Sequence, residues 1–458
     1  MIVRQPRAHR YLVGILVAIP VVMILISIVL DVMRIKSGGA LPWVYTESNI
    51  SALLHARFLS GNDSWYPMLA AREWLRAHHG GDVYAALFFN GNVKYQYPDT
   101  SLLLIEWLPN DRATATRLLN IGNFGLAAAN IIGMTLLMSA LIDRAQAAGR
   151  RLAVGRPVLL AIGAVATACY YPMLKALSLG QMQILLDLLY TVACYFLIRA
   201  RPAWSGALVG LSTLVKPQMG LLLVWAIIRR ERKFAIGMVS VAAGGGVLSL
   251  VVYGVHWPLE YLRVLQFLSA HGESHFANQS VNGLVNRLVG NGVNVSWLGP
   301  SRFAPYNGLV YAATTISSLF FMAVGVAIGF RRGSSADPLT SFLIAGICFT
   351  LASPIAWQHH YGILLPAFAF CLIELLAREQ SDRRSLWGRW VLLAATYLLA
   401  ANSFAMVNLL ADSGLNFLQS YLFFAALATL FLVVTLARSD RATIRFMPWR
   451  QRSAGASL

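Results

Sequence analysis

Residues 199–233 read RARPAWSGALVGLSTLVKPQMGLLLVWAIIRRERK. The part from Ser205 to Ile228 is apolar and long enough to cross a hydrocarbon core of about 30 Å as one helix. Basic residues flank it on both sides, however: Arg199 and Arg201 before, Arg229, Arg230, Arg232 and Lys233 after. Short loops rich in Lys and Arg stay on the cytoplasmic face, so both flanks belong to one side. Lys216 and Pro217, a charge and a helix breaker, sit in the middle. Two short helices in a hairpin, with Lys-Pro at the outer apex, satisfy both facts. Broken helices at membrane depth are tolerated where they line a cavity, which singles out Lys216.

The rest of the chain has the same character. Of 458 residues 57% are hydrophobic and 12% charged, whereas a soluble domain spends about a quarter of its residues on charge. The apolar runs are continuous rather than alternating, so helices rather than a barrel satisfy the backbone inside lipid. The net charge of +18 comes mostly from short loops between these runs, which is membrane orientation and not nucleic-acid binding. Cys169, Cys194, Cys348 and Cys371 all fall inside apolar runs and read as small buried hydrophobes. Gly244, Gly245 and Gly246 lie within an apolar helix, where close helix packing explains them better than phosphate binding.

Threading outward from the hairpin predicts an all-α integral membrane protein with about eleven to thirteen membrane segments. Arg4, Arg7 and Arg10 precede the first span, Tyr11 to Leu30, which reads as a retained helix with a cytoplasmic N-terminus. Further spans are expected at Arg117 to Ile142, Val158 to Lys175, Gln181 to Ile198, Ala235 to Tyr253, Gly308 to Phe330, Leu339 to Leu351, Tyr361 to Leu376, Trp390 to Val407 and Leu418 to Leu436. A single polytopic domain covers residues 1–436, with a large first extracytoplasmic loop at 31–111 and a second at 254–307. Residues 437–458 form a basic cytoplasmic tail, and both termini lie inside. The compartment expected is a bacterial cytoplasmic membrane.

This topology sends Asp63, Tyr66, Glu73, His78, His79, Asp82, Tyr97, Asn278, Gln279, Arg287, His359 and His360 to the outer face, where a membrane protein with such a bias does its chemistry. Three stretches stand out. The first is Asp63-Ser-Trp-Tyr66 with Tyr84 and Tyr95-Gln-Tyr97-Pro98. The second is Ser178-Leu-Gly180-Gln181-Met-Gln183, leading to Lys216-Pro217. The third is Ser353-Pro354-Ile355-Ala356-Trp357-Gln358-His359-His360, preceded by Asn278-Gln279-Ser280 and Arg287. Together, over roughly residues 50 to 370, they resemble the polyprenol-phosphate-dependent transferases of glycosyltransferase family 87, in the GT-C superfamily. The chain departs from that pattern at Asp99, where the family often has a second proline, at Gln183, where it often has Asn, and at Ala356, where it often has Ser.

The resemblance implies a GT-C-like helical bundle and an inverting transfer of mannose or a pentose such as arabinofuranose. The donor is a polyprenyl-phosphate-linked sugar and the acceptor a glycolipid or glycan. Asp63 takes the place of the general base; its bland reading is a helix cap, since Asp is a preferred cap residue. Asp82 and Glu73 stand in reserve. Fixed cations stabilise the charge growing on the leaving phosphate, and Lys216, His359, His360 and Arg287 are available. Against this, Lys216 can snorkel to the interface and the His pair can be structural. Tyr66, Tyr97, Gln181, Asn278, Gln279 and Trp357 are the sugar- or acceptor-binding candidates; aromatics at such depths also anchor at the interface. Gln183 and Asp187, four apart, share a helix face and suit carrier, sugar or helix-to-helix contacts. No Asp-x-Asp clamp stands out, so no metal or other cofactor is expected. The partners are lipids and the two substrates, without nucleic acid. A transporter or flippase of lipid-linked sugars shares the apolar composition, and an envelope glycan polymerase or ligase shares the donor; the long first exported loop headed by an acid favours the transferase.

Overall fold

The computed structural model describes residues 7–38, 42–56, 61–296, 303–330, 337–378 and 383–439. Helix α1 (Arg7–Lys36) leads to two short helices, α2 (Trp43–Thr46) and α3 (Asn49–His55). α4 (Trp65–Ala77) opens the first large loop, which continues through a π-turn at Tyr84–Asn90 and a 3-10 turn at Asp99–Leu104. Next come α5 (Arg112–Ala147), α6 (Arg156–Ala168), α7 (Tyr171–Leu179) and α8 (Gln183–Ile198). α9 (Pro202–Thr213) and α10 (Leu221–Arg229) flank a 3-10 turn at Pro217–Gly220, and α11 (Arg232–Tyr253) follows. α12 (Trp257–His271) and α13 (Val281–Leu288) build the second large loop. The remaining helices are α14 (Gly308–Ala327), α15 (Pro338–Leu351), α16 (Leu365–Arg378) behind a 3-10 turn at Gln358–Leu364, α17 (Arg383–Ala401) and α18 (Tyr421–Ser439). Among the described residues there is no strand, only one isolated bridge between Asn278 and Trp357.

Side-chain pairing sorts the helix ends into two sets. At one end Arg144 meets Asp337 (2.9 Å), Arg150 meets Glu374 (2.7 Å) and Arg199 meets Asp143 (3.0 Å). At the other, Glu47 meets Lys175, Asn123 meets the Gln181 carbonyl, and Ser280 meets the Pro354 carbonyl. Five described helices are long and apolar enough to cross a membrane, or six with the α6–α7 pair, bent by 42°, counted as one. Shorter apolar helices make up further segments of the sequence reading: Gln183–Ile198, Pro217–Arg229, Pro338–Leu351 and Leu386–Ala401.

The hairpin of residues 199–233 forms, and glycine makes it possible. A Cβ on Gly206 would strike the Phe234 carbonyl, one on Gly237 the Ala203 carbonyl, and one on Gly210 the Met238 carbonyl. Contacts therefore climb both helices together, from Ala203–Gly237 to Leu214–Gly245, and α9 and α11 run parallel at backbone contact. Two parallel helices need a return between them, and α10 is that return. Trp225 of α10 packs on Phe234 and Phe342, both at 5.4 Å between ring centroids, which seats its end at the base of α11 and α15. Of the Gly244–Gly246 triplet only Gly245 packs this way, against Leu214; the other two have no neighbour within 4 Å.

Two expected boundaries move. α17 ends at Ala401 rather than running to residue 407, because Asn49 binds the Ala401 carbonyl (2.7 Å) and accepts from the Ser403 amide (3.2 Å). The last span is preceded by a 3-10 turn at Asn416–Ser420. The expected basic tail lies outside the described residues from position 440 onward, as do Arg4, Arg331 and Arg332.

Gly237→Leu would force α9 away from α11. A shift of this kind costs on the order of 1–3 kcal/mol or more, and the expected outcome is a lowered melting temperature in detergent with loss of monodisperse protein on gel filtration. Gly244→Leu, which meets nothing, is expected to leave both unchanged.

Candidate functional site

The site begins with a backbone contact. Gly61 and Gly180 touch so closely that a Cβ on Gly61 would lie 2.5 Å from the Gly180 amide nitrogen. Gly180 also has φ +68°, a left-handed conformation that ends α7 and that glycine adopts without cost. Across this contact the Asp63 amide donates to the Leu179 carbonyl (2.9 Å) and the Ser64 amide to the Gly180 carbonyl (3.2 Å). The segment carrying Asp63 is thus pinned onto the loop carrying Gln181.

Side chains complete the joint. Gln181 Nε2 donates to the half-buried Asp63 carboxylate. Gln181 Oε1 accepts from Ser64 Oγ (2.6 Å) and Tyr97 OH (3.4 Å), and Ser64 accepts from the Met182 amide (3.1 Å). α4 begins behind Ser64 with no side-chain cap, so Asp63 is oriented by Gln181 rather than by a helix N-terminus. Glu73 and Asp82 are engaged elsewhere on the loop, with Arg112 and Arg263. Tyr66 is 48% exposed and sits under Arg112, away from this joint, while His78 and His79 are exposed.

Opposite lies the tip of the hairpin. Lys216 Nζ donates to Gln183 Oε1 (2.5 Å), and Gln183 Nε2 donates to Asp187 Oδ1 (2.7 Å). Lys216, Gln183 and Asp187 line a cavity of about 30 Å³ with Thr350, Ser353 and His360, which has room for a water or two. His360 Nδ1 accepts from the Trp357 amide (3.2 Å). In the neutral ring that contact assigns the proton to Nε2, the remaining nitrogen. The rings of His359 and His360 meet edge to face at 4.7 Å. Among the described residues no group of three or more His, Cys, Asp or Glu is arranged to hold a metal ion.

Four charged residues that sequence reasoning did not single out join this centre. Lys94 donates to Glu273 (2.5 Å) and lies 4.2 Å from the Trp357 ring centroid, and Trp357 Nε1 donates to the other Glu273 oxygen (2.8 Å). Lys175 donates to both Glu47 oxygens (2.7 and 2.8 Å), and Glu47 Oε2 also accepts from Tyr171 (3.0 Å). Lys94, Lys175 and Lys216 all act electrostatically on His359. Burial pushes the Glu273 carboxyl up, against the pull of Lys94. Each of the two lysines sits in a stretch that a single sequence presents as ordinary loop or helix; their pairing spans 128 and 179 positions of chain.

Arg287, Asn278 and Gln279 take a different place. Arg287 is buried and donates to the carbonyls of Ser274, His275 and Asn278 and to Ser420 Oγ (2.6 Å). Asn278 accepts from the Ala356 amide (3.0 Å) and donates to the Glu273 carbonyl (2.9 Å). Gln279 donates to the Phe276 and Gln419 carbonyls and accepts from the Leu422 amide. Asn278 ties the second loop to the segment just before the histidine turn, Gln279 ties it to the start of α18, and Arg287 braces the loop itself and reaches Ser420.

Fold and site together describe a polytopic helical membrane protein in which Gln181 holds Asp63 and Gln183, two residues on, holds Lys216. The family model described as Glycosyltransferase family 87 matches residues 95–354, and the chain belongs to that family. It is 29% identical over 52% of its length to a polyprenol-phosphate-mannose-dependent alpha-(1-2)-phosphatidylinositol pentamannoside mannosyltransferase of Mycobacterium tuberculosis, covering 51% of that protein. It is 25% identical over 65% of its length to a polyprenol-phosphate-mannose-dependent alpha-(1-2)-phosphatidylinositol mannoside mannosyltransferase of the same species, covering 67% of it. A Mycolicibacterium smegmatis protein of the latter description is 28% identical over 51% of the chain, covering 50% of it. The chain thus spans about half the length of two of these relatives.

Asp99 generates a prediction of its own. It is fully buried, its Oδ1 accepts from Tyr84 and Tyr95 (both 3.0 Å), and its Oδ2 has no partner. Burial raises its pKa to about 7, against the pull of the two tyrosines. A raised carboxyl contributes stability that is complete below its unfolded value near 4 and lost as the pH climbs through about 7. Asp99→Asn keeps an acceptor for both tyrosines and removes the charge. The expected outcome is a higher melting temperature than wild type at pH 8, with no gain at pH 4.5.

Proposed function

We propose that this protein transfers a sugar, mannose in the first instance, from a polyprenyl-phosphate carrier to a hydroxyl of a glycolipid or glycan on the extracytoplasmic side of the membrane. Family membership supports the reaction class, and the mannosyltransferase activities of the mycobacterial relatives support mannose as the sugar. The observation that carries the reading is the hydrogen bond from Gln181 to Asp63. It fixes a half-buried carboxylate beside Gln181, two residues from the Gln183 that holds Lys216.

In this mechanism an acceptor hydroxyl attacks the anomeric carbon and gives its proton to Asp63, the general base. The bond from that carbon to the phosphate oxygen breaks in the same displacement, and its electron pair stays on the phosphate. Configuration inverts. Lys216 and the Nε2–H of His360 stabilise the charge that develops on the phosphate, and His359 supports His360 from its edge. Trp357 carries Lys94 over its ring, so we assign it to positioning that lysine. Tyr97 and Gln181 position the base. We assign Arg287, Asn278 and Gln279 to the scaffold, since their polar atoms are spent on backbone. Tyr66, exposed beside Arg112, suits the approach of the acceptor.

Asp63→Asn is expected to insert and melt like wild type while transfer from radiolabelled polyprenyl-phosphate mannose falls by about 10²–10⁴-fold. Transfer at the wild-type rate would remove Asp63 from this role. Lys216→Met is expected to weaken donor binding at least tenfold. Label that crosses the bilayer still joined to its lipid would identify a transporter instead.

A further inference from the structure

Asp187 is buried on α8 and takes no part in the displacement described above. One of its oxygens is tied through the Gln183 amide to the Lys216 ammonium. The other, Oδ2, has no hydrogen-bond partner. It lies against Gly362 so closely that a Cβ there would overlap it, and Gly362 belongs to the 3-10 turn that bears His359 and His360. The carboxyl therefore packs against the histidine turn and is linked through Gln183 to Lys216, and Asp187, Gln183, Lys216 and His360 line the same small cavity. A buried acid in a membrane segment is expensive, and one oxygen left unpaired adds to that cost.

We propose that Asp187 is a counter-charge that distinguishes the spent carrier from the loaded one and promotes its release. The inference rests on the reading that Lys216 meets the carrier phosphate. Transfer breaks the bond between the sugar carbon and the phosphate oxygen and leaves both electrons on oxygen. A phosphodiester with one negative charge becomes a monoester, which carries about −1.5 to −2 at neutral pH. Lys216 attracts that added charge, and a carboxylate two hydrogen bonds away opposes it. The opposition acts on the product more than on the donor, whatever the affinity for either. Lys216 shares itself between Gln183 and the phosphate, and among the described residues no donor other than Gln183 offsets the charge of Asp187.

The test is equilibrium binding of two lipids, polyprenyl phosphate and polyprenyl-phosphate mannose, to the full chain in nanodiscs. Asp187→Asn keeps an acceptor for Gln183 and deletes the charge. It is expected to tighten polyprenyl phosphate roughly tenfold relative to polyprenyl-phosphate mannose, as one added charge across a partly screened gap implies. Asp187→Glu is expected to keep the wild-type ratio. An unchanged ratio in Asp187→Asn, or an equal weakening of both lipids, would overturn the inference and leave Asp187 a packing residue. Asp187→Ser, which also lacks the charge, serves if the asparagine variant does not assemble. Lys216→Met separates the two levels. If it weakens both lipids while Asp187→Asn leaves the ratio alone, only the counter-charge fails; if it changes neither, Lys216 does not meet the phosphate.

Discussion

Everything at the polar end depends on the parallel contact between α9 and α11. With glycine at 206, 210 and 237 the two backbones approach until a side chain would have no room. The chain must then turn back between them, and it turns at Lys216-Pro217, where proline ends the helix and the ammonium is left at the tip. A lysine at that depth needs partners. It finds Gln183 directly and Asp187 through it. The apex also accepts a bond from the first loop, Thr100 Oγ1 to the Leu214 carbonyl (2.5 Å). A helix contact made of glycine thereby sets the position of a charge.

The two large loops converge on this tip from opposite directions. The first arrives through the Gly61–Gly180 contact and carries Asp63. The second is tied by Asn278 to the Ala356 amide just before the turn at Gln358–Leu364, is braced by Arg287 and Gln279, and carries Glu273. Their meeting place holds the pairs Lys94–Glu273 and Lys175–Glu47, whose carboxylates are buried. Such pairs cost desolvation that their attraction barely repays. Their value lies in geometry: each fixes a cation near the histidine pair without pinning it to the Asp63 side. An acid to take the acceptor's proton and cations to meet the leaving phosphate are the charges that the proposed displacement at the anomeric carbon requires.

Some of this was legible in the residues alone. Continuous apolar runs required helices in lipid, because only a helix closes its own hydrogen bonds there. The arginines on both sides of Ser205–Ile228, with Lys216-Pro217 between them, required a hairpin, since charge orientation and helix breaking are local properties. Asp63, Gln181 and the His pair stood out as candidates in motifs that together resemble those of the family, and the roles proposed for them rest on that resemblance and on the bond from Gln181 to Asp63.

The tertiary structure alone decided which polar residues pair with distant side chains and which spend their donors on backbone. Arg287 and Gln279 have the same donors as any ligand-binding side chain; only packing turned them toward carbonyls from Ser274 to Gln419. Lys94 and Lys175 looked ordinary because their carboxylate partners lie far away in the chain, Glu273 in the second large loop and Glu47 between two short helices. The close of α17 at Ala401 depended likewise on Asn49, which takes the carbonyl that would continue the helix. Periodicity and charge are written residue by residue, and so determine helices and their direction. Partnership between distant side chains is a property of the folded chain, and it is what sets one lysine against a buried glutamine and turns one arginine onto backbone carbonyls.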